Sequence, residues 1–216
     1  MIINENIANK TALHLLQINA IKLNPENPFT WASGWKSPIY CDNRIALSFP
    51  KVRDFLSKVI SEKIKKDFEG SFIIAAVATG AIGIGMLVAQ KLDLPFIYVR
   101  PEPKKHGQKN QIEGHFKEGQ RVVVIEDLIS TGKSSLNAVK ALRERSAQIL
   151  GMIALFTYQF SIAEEAFKKD NVKLQTLCDY SYLLSAALNK KTISEKQLED
   201  LKTWRNNPSN WTPKED

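Results

Sequence analysis

From Phe72 onward, short apolar runs alternate with stretches of helical periodicity, and this alternation is the feature that most restricts the fold. The apolar runs are FIIAAVA (72–78), FIYV (96–99), VVVIED (122–127) and ILGMIALFTY (149–158), and the helical stretches lie at 82–91 and 134–145. Runs without polar alternation are typical of strands buried on both faces, as in a parallel sheet covered by crossover helices. We therefore predict an α/β fold whose strand ends share one ligand-binding edge.

The remaining segments predict a single domain over residues 1–216. Apolar residues between Ile7 and Ile18 recur at helical spacing, and Pro25 and Pro28 end that pattern. Residues 28–41 read as extended, in a short hairpin or hood, and a further helix follows Pro50. We divide the chain into an N-terminal helix and hood (about 1–50), an α/β core (about 70–185), and a C-terminal helix and tail (about 190–216).

Charge and cysteine content restrict the partners of this chain. Its two cysteines, Cys41 and Cys178, have neither metal-ligand nor redox spacing, which favours a reducing compartment. No leader segment or apolar run of about 20 residues occurs, so we expect a cytoplasmic protein without a membrane partner. The formal net charge is +7, with a cluster of cations at 100–109. A small polyanionic substrate explains this cluster as well as RNA does, and we expect no nucleic acid partner.

The segment RVVVIEDLISTGKSS (121–135) carries the most specific chemistry. It resembles a nucleotide triphosphate loop, but Asp127 stands where such a loop requires glycine. The acidic pair Glu126 and Asp127 suits ribose hydroxyls or hydrated magnesium, while the hydroxyls and N–H groups of 130–134 suit one terminal phosphate. Together they describe a site for a phosphorylated sugar. The alternative is that the acidic pair merely ends a strand and Ser130 or Thr131 caps the next helix.

Two further loops should reach the same edge of the sheet. The loop VATGAIGIG places small residues at Ala78–Gly80, where a backbone can approach a ligand closely, although Gly83 and Gly85 are equally compatible with helix packing. The loop RPEPKKHGQKNQIEGHF (100–116) mixes cations with proline and glycine. Such a loop can close over a substrate and exclude water. The alternative is a basic surface loop.

The segment 121–135 resembles the phosphoribosyl-pyrophosphate (PRPP) signature of type I phosphoribosyltransferases. This resemblance implies a Rossmann-like parallel sheet core flanked by helices, a small N-terminal hood, and transfer of ribose-5-phosphate to a nitrogen. It implies Mg²⁺ held mainly through PRPP near the acidic pair, with no direct protein ligand. The PRPP-binding residues expected from it are Thr79, Arg100, Lys104, Lys105, His106, Glu126, Asp127, Leu128, Ile129, Ser130, Thr131, Gly132, Lys133 and Ser134.

Within that family, the basic loop and the hood segment FTWASGWKSPIYCDNR (29–44) resemble orotate phosphoribosyltransferases. The resemblance implies that Lys104, His106 and Asp127 are catalytic and that the 100–115 loop reaches the neighbouring site of a homodimer. Many relatives have a second lysine where this chain has Pro101, and Lys105 is the nearest substitute.

The acceptor is less clearly indicated than the donor. Ala32 and the FTYQF segment stand where many relatives carry the cations that bind the base. Lys36, Arg44 and Ser130 are the candidate orotate-binding residues that remain. We predict synthesis of orotidine 5′-monophosphate and pyrophosphate from orotate and PRPP in pyrimidine biosynthesis. A purine phosphoribosyltransferase and a PyrR-like RNA-binding regulator remain as alternatives.

Overall fold

A computed structural model describes residues 2–31, 34–103 and 110–213. The helices are α1 (Glu5–Gln17), α2 (Pro50–Asp67), α3 (Ile82–Leu92), α4 (Lys133–Arg143), α5 (Ser161–Lys169), α6 (Tyr180–Asn189) and α7 (Glu195–Asn206), with a 3₁₀ helix at Asn43–Ser48. The strands are β1 (Ile21–Leu23), β2 (Phe29–Thr30), β3 (Lys36–Ser37), β4 (Ile39–Cys41), β5 (Ile73–Val77), β6 (Phe96–Val99), β7 (Ile112–Glu113), β8 (Arg121–Ile129), β9 (Gln148–Thr157) and β10 (Leu174–Asp179).

The predicted α/β fold is confirmed. In the described chain, six strands form a sheet in the order β10-β9-β8-β5-β6-β7, and all of its pairings are parallel except that of β7 with β6. From β5 the chain extends the sheet through β6 on one side and through β8 to β10 on the other. The order of strands therefore switches between β5 and β8, and the crevice at their carboxyl ends is where open sheets of this kind bind ligands.

Both faces of the sheet are buried, as the continuous apolar runs predict. Along β8, Val123 and Ile125 pack into the core that also contains buried residues of α1, α2, α3 and α6. The alternate residues Val122 and Val124 pack into a second core with α4 and α5. Since successive side chains of a strand point to opposite faces, β8 contributes to both layers at once. This double burial fixes the position of the acidic pair at its end.

The hood consists of two small antiparallel pairings. The segment predicted as a hairpin contains β2 paired with β3, while β4 pairs with the earlier strand β1. The Trp31 indole N–H donates to the Ile39 carbonyl at 3.1 Å, which ties the hairpin to β4. The Trp204 indole N–H donates to the Lys36 carbonyl at 3.2 Å. Helix α7 therefore holds the hood from the C-terminal side.

The C-terminal helix has a sequence-encoded start and a buried anchor. Ser194 and Gln197 form a capping box at its N-terminus, which satisfies two otherwise unpaired backbone N–H groups. Trp204 is fully buried, and the Tyr180 hydroxyl donates to the Leu201 carbonyl at 3.0 Å. None of the described helices is both long and apolar enough to cross a membrane.

Candidate active site

A cleft of about 430 Å³ opens at the carboxyl ends of β5 and β8. It brings together the loop after β5, the acidic pair, the loop that starts α4, and one side of the hood. Its lining residues are Cys41, Asp42, Arg44, Val77, Ala78, Thr79, Gly80, Glu126, Asp127, Leu128, Ser130, Thr131, Gly132, Lys133 and Ser134. Two of the three loops that the sequence predicts to converge therefore meet here within the described chain.

The two carboxyl groups of the acidic pair have different environments. Glu126 is only 3 % exposed, and its two oxygens accept hydrogen bonds from the Asp127 backbone N–H at 2.9 Å and the Ser135 hydroxyl at 2.7 Å. Burial raises the pKa of Glu126 well above its ordinary value, and the adjacent Asp127 carboxylate raises it further. Both effects disfavour ionisation of Glu126, the more deeply buried member of the pair.

Asp127 is half-buried and lines the cleft beside the loop after β5. A Cβ atom on Gly80 would overlap the Asp127 carboxylate, so residue 80 must be glycine for this arrangement. From the hood side, the Asn43 amide donates to the Asp127 backbone carbonyl at 2.6 Å. The peptide bond between Ala78 and Thr79 is cis. Asp127 is thus the more exposed member of the pair at the cleft.

The phosphate-binding candidates form the turn into α4. Gly132 precedes the helix with a φ of +79°, a left-handed conformation that favours glycine. Ser130, Thr131 and Ser134 line the cleft around it. Because α4 begins at Lys133, the positive end of its helix dipole faces the cleft wall, which suits an anion. The alternative that this segment only ends a strand is weakened, because β8 continues past the acidic pair to Ile129.

The hood supplies an ion pair at the rim of the cleft. Arg44 donates from Nε and Nη2 to the Asp42 carboxylate at 2.7 Å and 2.8 Å, and 58 % of its side chain is exposed. This hydrogen bond lowers the pKa of Asp42. Burial raises the pKa of the neighbouring Cys41 thiol well above its ordinary value, with a further contribution from Asp127. The Cys41 side chain at the cleft is therefore a neutral thiol. The two hydrogen bonds to Asp42 fix the orientation of the Arg44 guanidinium.

Three other predicted site residues lie apart from the cleft lining. The Lys36 ammonium group donates to the Thr30 hydroxyl at 2.9 Å across the β2–β3 hairpin. Arg100 follows β6 and lies 3.5 Å from the Glu113 carboxylate. Ile129 is fully buried in the core with α4 and α5, although Leu128 beside it lines the cleft. Lys104, Lys105 and His106 lie outside the described residues.

The FTYQF segment at the end of β9 is occupied by contacts within the protein. The Gln159 carbonyl oxygen accepts from the Ser181 hydroxyl at 2.8 Å and from Arg205 at 3.3 Å, and its amide donates to Asp179 at 3.0 Å. The sequence does not predict the role of Arg205, because this residue lies 46 residues from Gln159 and no spacing relates the two. The same holds for Asn43, whose contact with Asp127 spans 84 residues.

The oxygen atoms that line the cleft are compatible with a hydrated magnesium ion. In the ranges 2–31, 34–103 and 110–213, no three His, Cys, Asp or Glu side chains group as a metal site. Asp127 and the hydroxyls of the α4 turn are oxygen ligands of the kind that Mg²⁺ prefers, and Mg²⁺ commonly keeps its waters and substrate phosphates as the other ligands.

Comparison with known proteins identifies the family. The model of the phosphoribosyl transferase domain matches residues 44–179. The chain is 54% identical to an orotate phosphoribosyltransferase of Phocaeicola vulgatus over 91% of this chain and 93% of the relative. It is 52% identical to one from Bacteroides thetaiotaomicron over 96% and 98% of the two chains. The crystal structure of orotate phosphoribosyltransferase from Aeropyrum pernix is similar at a TM-score of 0.72 and 26% identity, covering 85% of this chain and 99% of that one.

The order of strands in the sheet and its flanking helices agree with the similarity to that structure. The chain belongs to the orotate phosphoribosyltransferases.

Proposed function

We propose that this chain transfers the ribose-5-phosphate of PRPP to N1 of orotate, giving orotidine 5′-monophosphate and pyrophosphate. The observation that carries the proposal is the cleft in which Asp127, the Thr79 loop and the turn 130–134 lie together, because each suits a different part of PRPP. The relatives at 54% and 52% identity are named for the same reaction. We regard residues 1–216 as one domain that works in the cytoplasm during pyrimidine biosynthesis.

We propose one orientation for PRPP in the cleft. Its 5-phosphate would lie in the turn Ser130–Ser134, where hydroxyls and helix N–H groups favour an anion. Asp127 would accept hydrogen bonds from the ribose hydroxyls, with the buried Glu126 behind it. Thr79, in the loop after β5, also lines the cleft and would contact the pyrophosphate. Mg²⁺ would reach the site with PRPP and neutralise part of the charge on its phosphates.

The basic loop would complete the site. Arg100, Lys104, Lys105 and His106 are proposed to contact the pyrophosphate, with Lys104 and His106 acting as catalytic cations. We further propose that the protein is a homodimer in which the 100–115 loop reaches the partner's cleft. Arg100 begins that loop at the end of β6, outside the cleft lining, and so would need loop closure to contact substrate.

Orotate would enter from the hood side of the cleft. Arg44 lies there, and its exposed guanidinium is suited to the orotate carboxylate. Ser130, in the turn before α4, also lines the cleft and is proposed as a second contact to orotate. Lys36 is a second cation available from the hood hairpin. N1 would form a bond to carbon 1 of the ribose as the bond from that carbon to the pyrophosphate oxygen breaks, with the electron pair leaving on pyrophosphate and the N1 proton passing to solvent. No covalent nucleophile is required, so the rate enhancement comes from positioning and from cations that stabilise the leaving group.

An absorbance assay tests this function against its alternatives. Purified protein is given PRPP, Mg²⁺ and, in separate reactions, orotate, hypoxanthine, guanine, xanthine or adenine. We expect orotate absorbance to fall only when PRPP is present, with pyrophosphate formed in equal amount. Consumption of a purine instead would indicate a purine phosphoribosyltransferase. Inactivity with every base, together with retention of RNA in filter binding, would indicate an RNA-binding regulator.

A further inference from the structure

We infer that Asn43, a buried residue of the hood, is a positioning residue that holds Asp127 in the orientation needed to bind the ribose of PRPP. This inference rests on the proposed function, and it assigns to the hood a task beyond covering the acceptor. Asn43 is 2 % exposed at the start of the 3₁₀ helix that follows β4. It is not itself among the residues that line the cleft of about 430 Å³.

Two side chains hold the backbone N–H and carbonyl of Asp127. The pairing of β8 with β5 ends at Ile125, whereas its pairing with β9 continues beyond Asp127. The Asp127 N–H donates to the Glu126 carboxylate at 2.9 Å, and its carbonyl accepts from the Asn43 amide at 2.6 Å. Where the sheet no longer supplies partners on one side, two side chains therefore fix the peptide groups of Asp127.

The orientation of the Asn43 amide follows from its partners. The Asp127 carbonyl can only accept, so the amide nitrogen must face it. The amide oxygen then faces the Cys41 thiol, which donates to it across 3.4 Å. The adjacent Asp42 N–H donates to the Ala20 carbonyl at 2.7 Å. The hood backbone next to Asn43 is thus tied to the start of β1, so that folding of the hood places the amide.

The loop after β5 limits the movement of the Asp127 carboxylate. The carboxylate occupies the space next to Gly80, where a Cβ atom on residue 80 would overlap it. If the Asp127 peptide group rotated in one direction, the carboxylate would overlap the loop after β5. If it rotated in the other direction, the carboxylate would move away from that loop. Loss of the Asn43 amide removes the contact that opposes this rotation from the hood side. Small misplacements of this kind reduce binding and turnover because productive geometry is narrow.

Calorimetric titration of the full-length protein with PRPP and Mg²⁺ tests the inference. The variant Asn43→Leu keeps the size of the side chain and removes its donor without adding charge. We expect it to weaken PRPP binding about tenfold. The control Asn24→Leu also changes an asparagine near the hood, whose side-chain oxygen accepts from the Asn27 N–H at 3.2 Å and whose backbone N–H donates to the Pro38 carbonyl at 2.7 Å. Because Asn24 does not line the cleft, its effect on PRPP binding should stay within about twofold. Thermal unfolding establishes whether each variant is folded. If Asn43→Leu does not fold, Asn43→Ala replaces it in the same titration.

A double-mutant cycle separates positioning from a general structural role. If Asn43 acts through Asp127, then Asn43→Leu should change PRPP affinity by less than about twofold in an Asp127→Asn background. The same tenfold loss in both backgrounds would overturn the inference, as would normal PRPP affinity of Asn43→Leu in the native background. Failure of the unmodified protein to bind PRPP would instead contradict the proposed function, so the two failures are distinguishable.

Discussion

The ends of β8 and β9 lie side by side in the sheet, but their polar residues have different roles. At the end of β8, Asp127 and the turn into α4 line an open cleft. At the end of β9, Gln159 is bonded to Asp179, Ser181 and Arg205, all within the protein. Polar residues at the carboxyl edge of a parallel sheet are therefore not equivalent. Those whose hydrogen-bonding groups are used internally stabilise the fold, and those that face the cleft can bind substrate.

The largest effect on substrate binding is expected from Asp127→Asn. Loss of the carboxylate removes charge-assisted hydrogen bonds to the ribose, and kcat/KM for PRPP should fall about a hundredfold. Steady-state kinetics and calorimetry with PRPP measure this change. Normal affinity for PRPP would show that Asp127 does not bind the ribose. The proposed difference between the ends of β8 and β9 would then be wrong.

A smaller loss is expected from Gly80→Ala, because the added Cβ overlaps the Asp127 carboxylate and must displace it. PRPP affinity should fall about tenfold. The control is Gly119→Ala, where φ is +75° and nothing lies within 4 Å of the added atom. That variant should lower Tm through backbone strain and leave PRPP affinity unchanged. Equal effects of the two variants on PRPP binding would indicate that Gly80 has no special relation to Asp127.

The variant Glu126→Gln tests the protonation of the acidic pair through stability. Burial, followed by the Asp127 charge, raises the pKa of Glu126 in the folded protein. The protonated group therefore contributes stability that is complete below its ordinary pKa and is lost as pH rises through the raised value. Glutamine stays neutral throughout, so the Tm of Glu126→Gln relative to the unmodified protein should increase from acidic to alkaline pH. A constant difference across that range would show that the Glu126 pKa is not raised.

The smallest effect on PRPP binding is expected from Gln159→Leu. This change leaves Asp179, Ser181 and Arg205 without a shared partner, and it should lower the free energy of unfolding by about 1–3 kcal/mol. PRPP affinity should remain within about twofold of the unmodified value. Chemical denaturation and calorimetry measure the two quantities. A loss of PRPP affinity as large as that of Asp127→Asn would contradict the internal role of the β9 end.

The sequence predicts strands β5, β6, β8 and β9, because each of these apolar runs is long enough to require burial on both faces, but it does not predict β10. It also predicts that Thr79, Glu126, Asp127 and the α4 turn meet, since parallel strands end at one edge. The periodicity does not show that β8 continues to Ile129, whose side chain is buried in the core and not in the cleft.

Contacts between distant segments are beyond such reasoning. The Asn43 amide reaches Asp127 across 84 residues, and Arg205 reaches Gln159 across 46. Neither contact has a periodic or spacing signal, because each depends on how the hood and α7 fold back on the core. The two-residue strand β7 is too short to leave a pattern and was not predicted. These contacts are determined by the tertiary arrangement of the hood and α7 on the core, and not by local propensity.

A crystal structure of the protein with PRPP and Mg²⁺ tests the central claim most directly. We predict density for the 5-phosphate in the turn Ser130–Ser134 and ribose hydroxyls within hydrogen-bonding distance of Asp127. Gln159 should keep its bonds to Ser181 and Arg205. Density for PRPP against the end of β9, with the turn before α4 empty, would contradict the account.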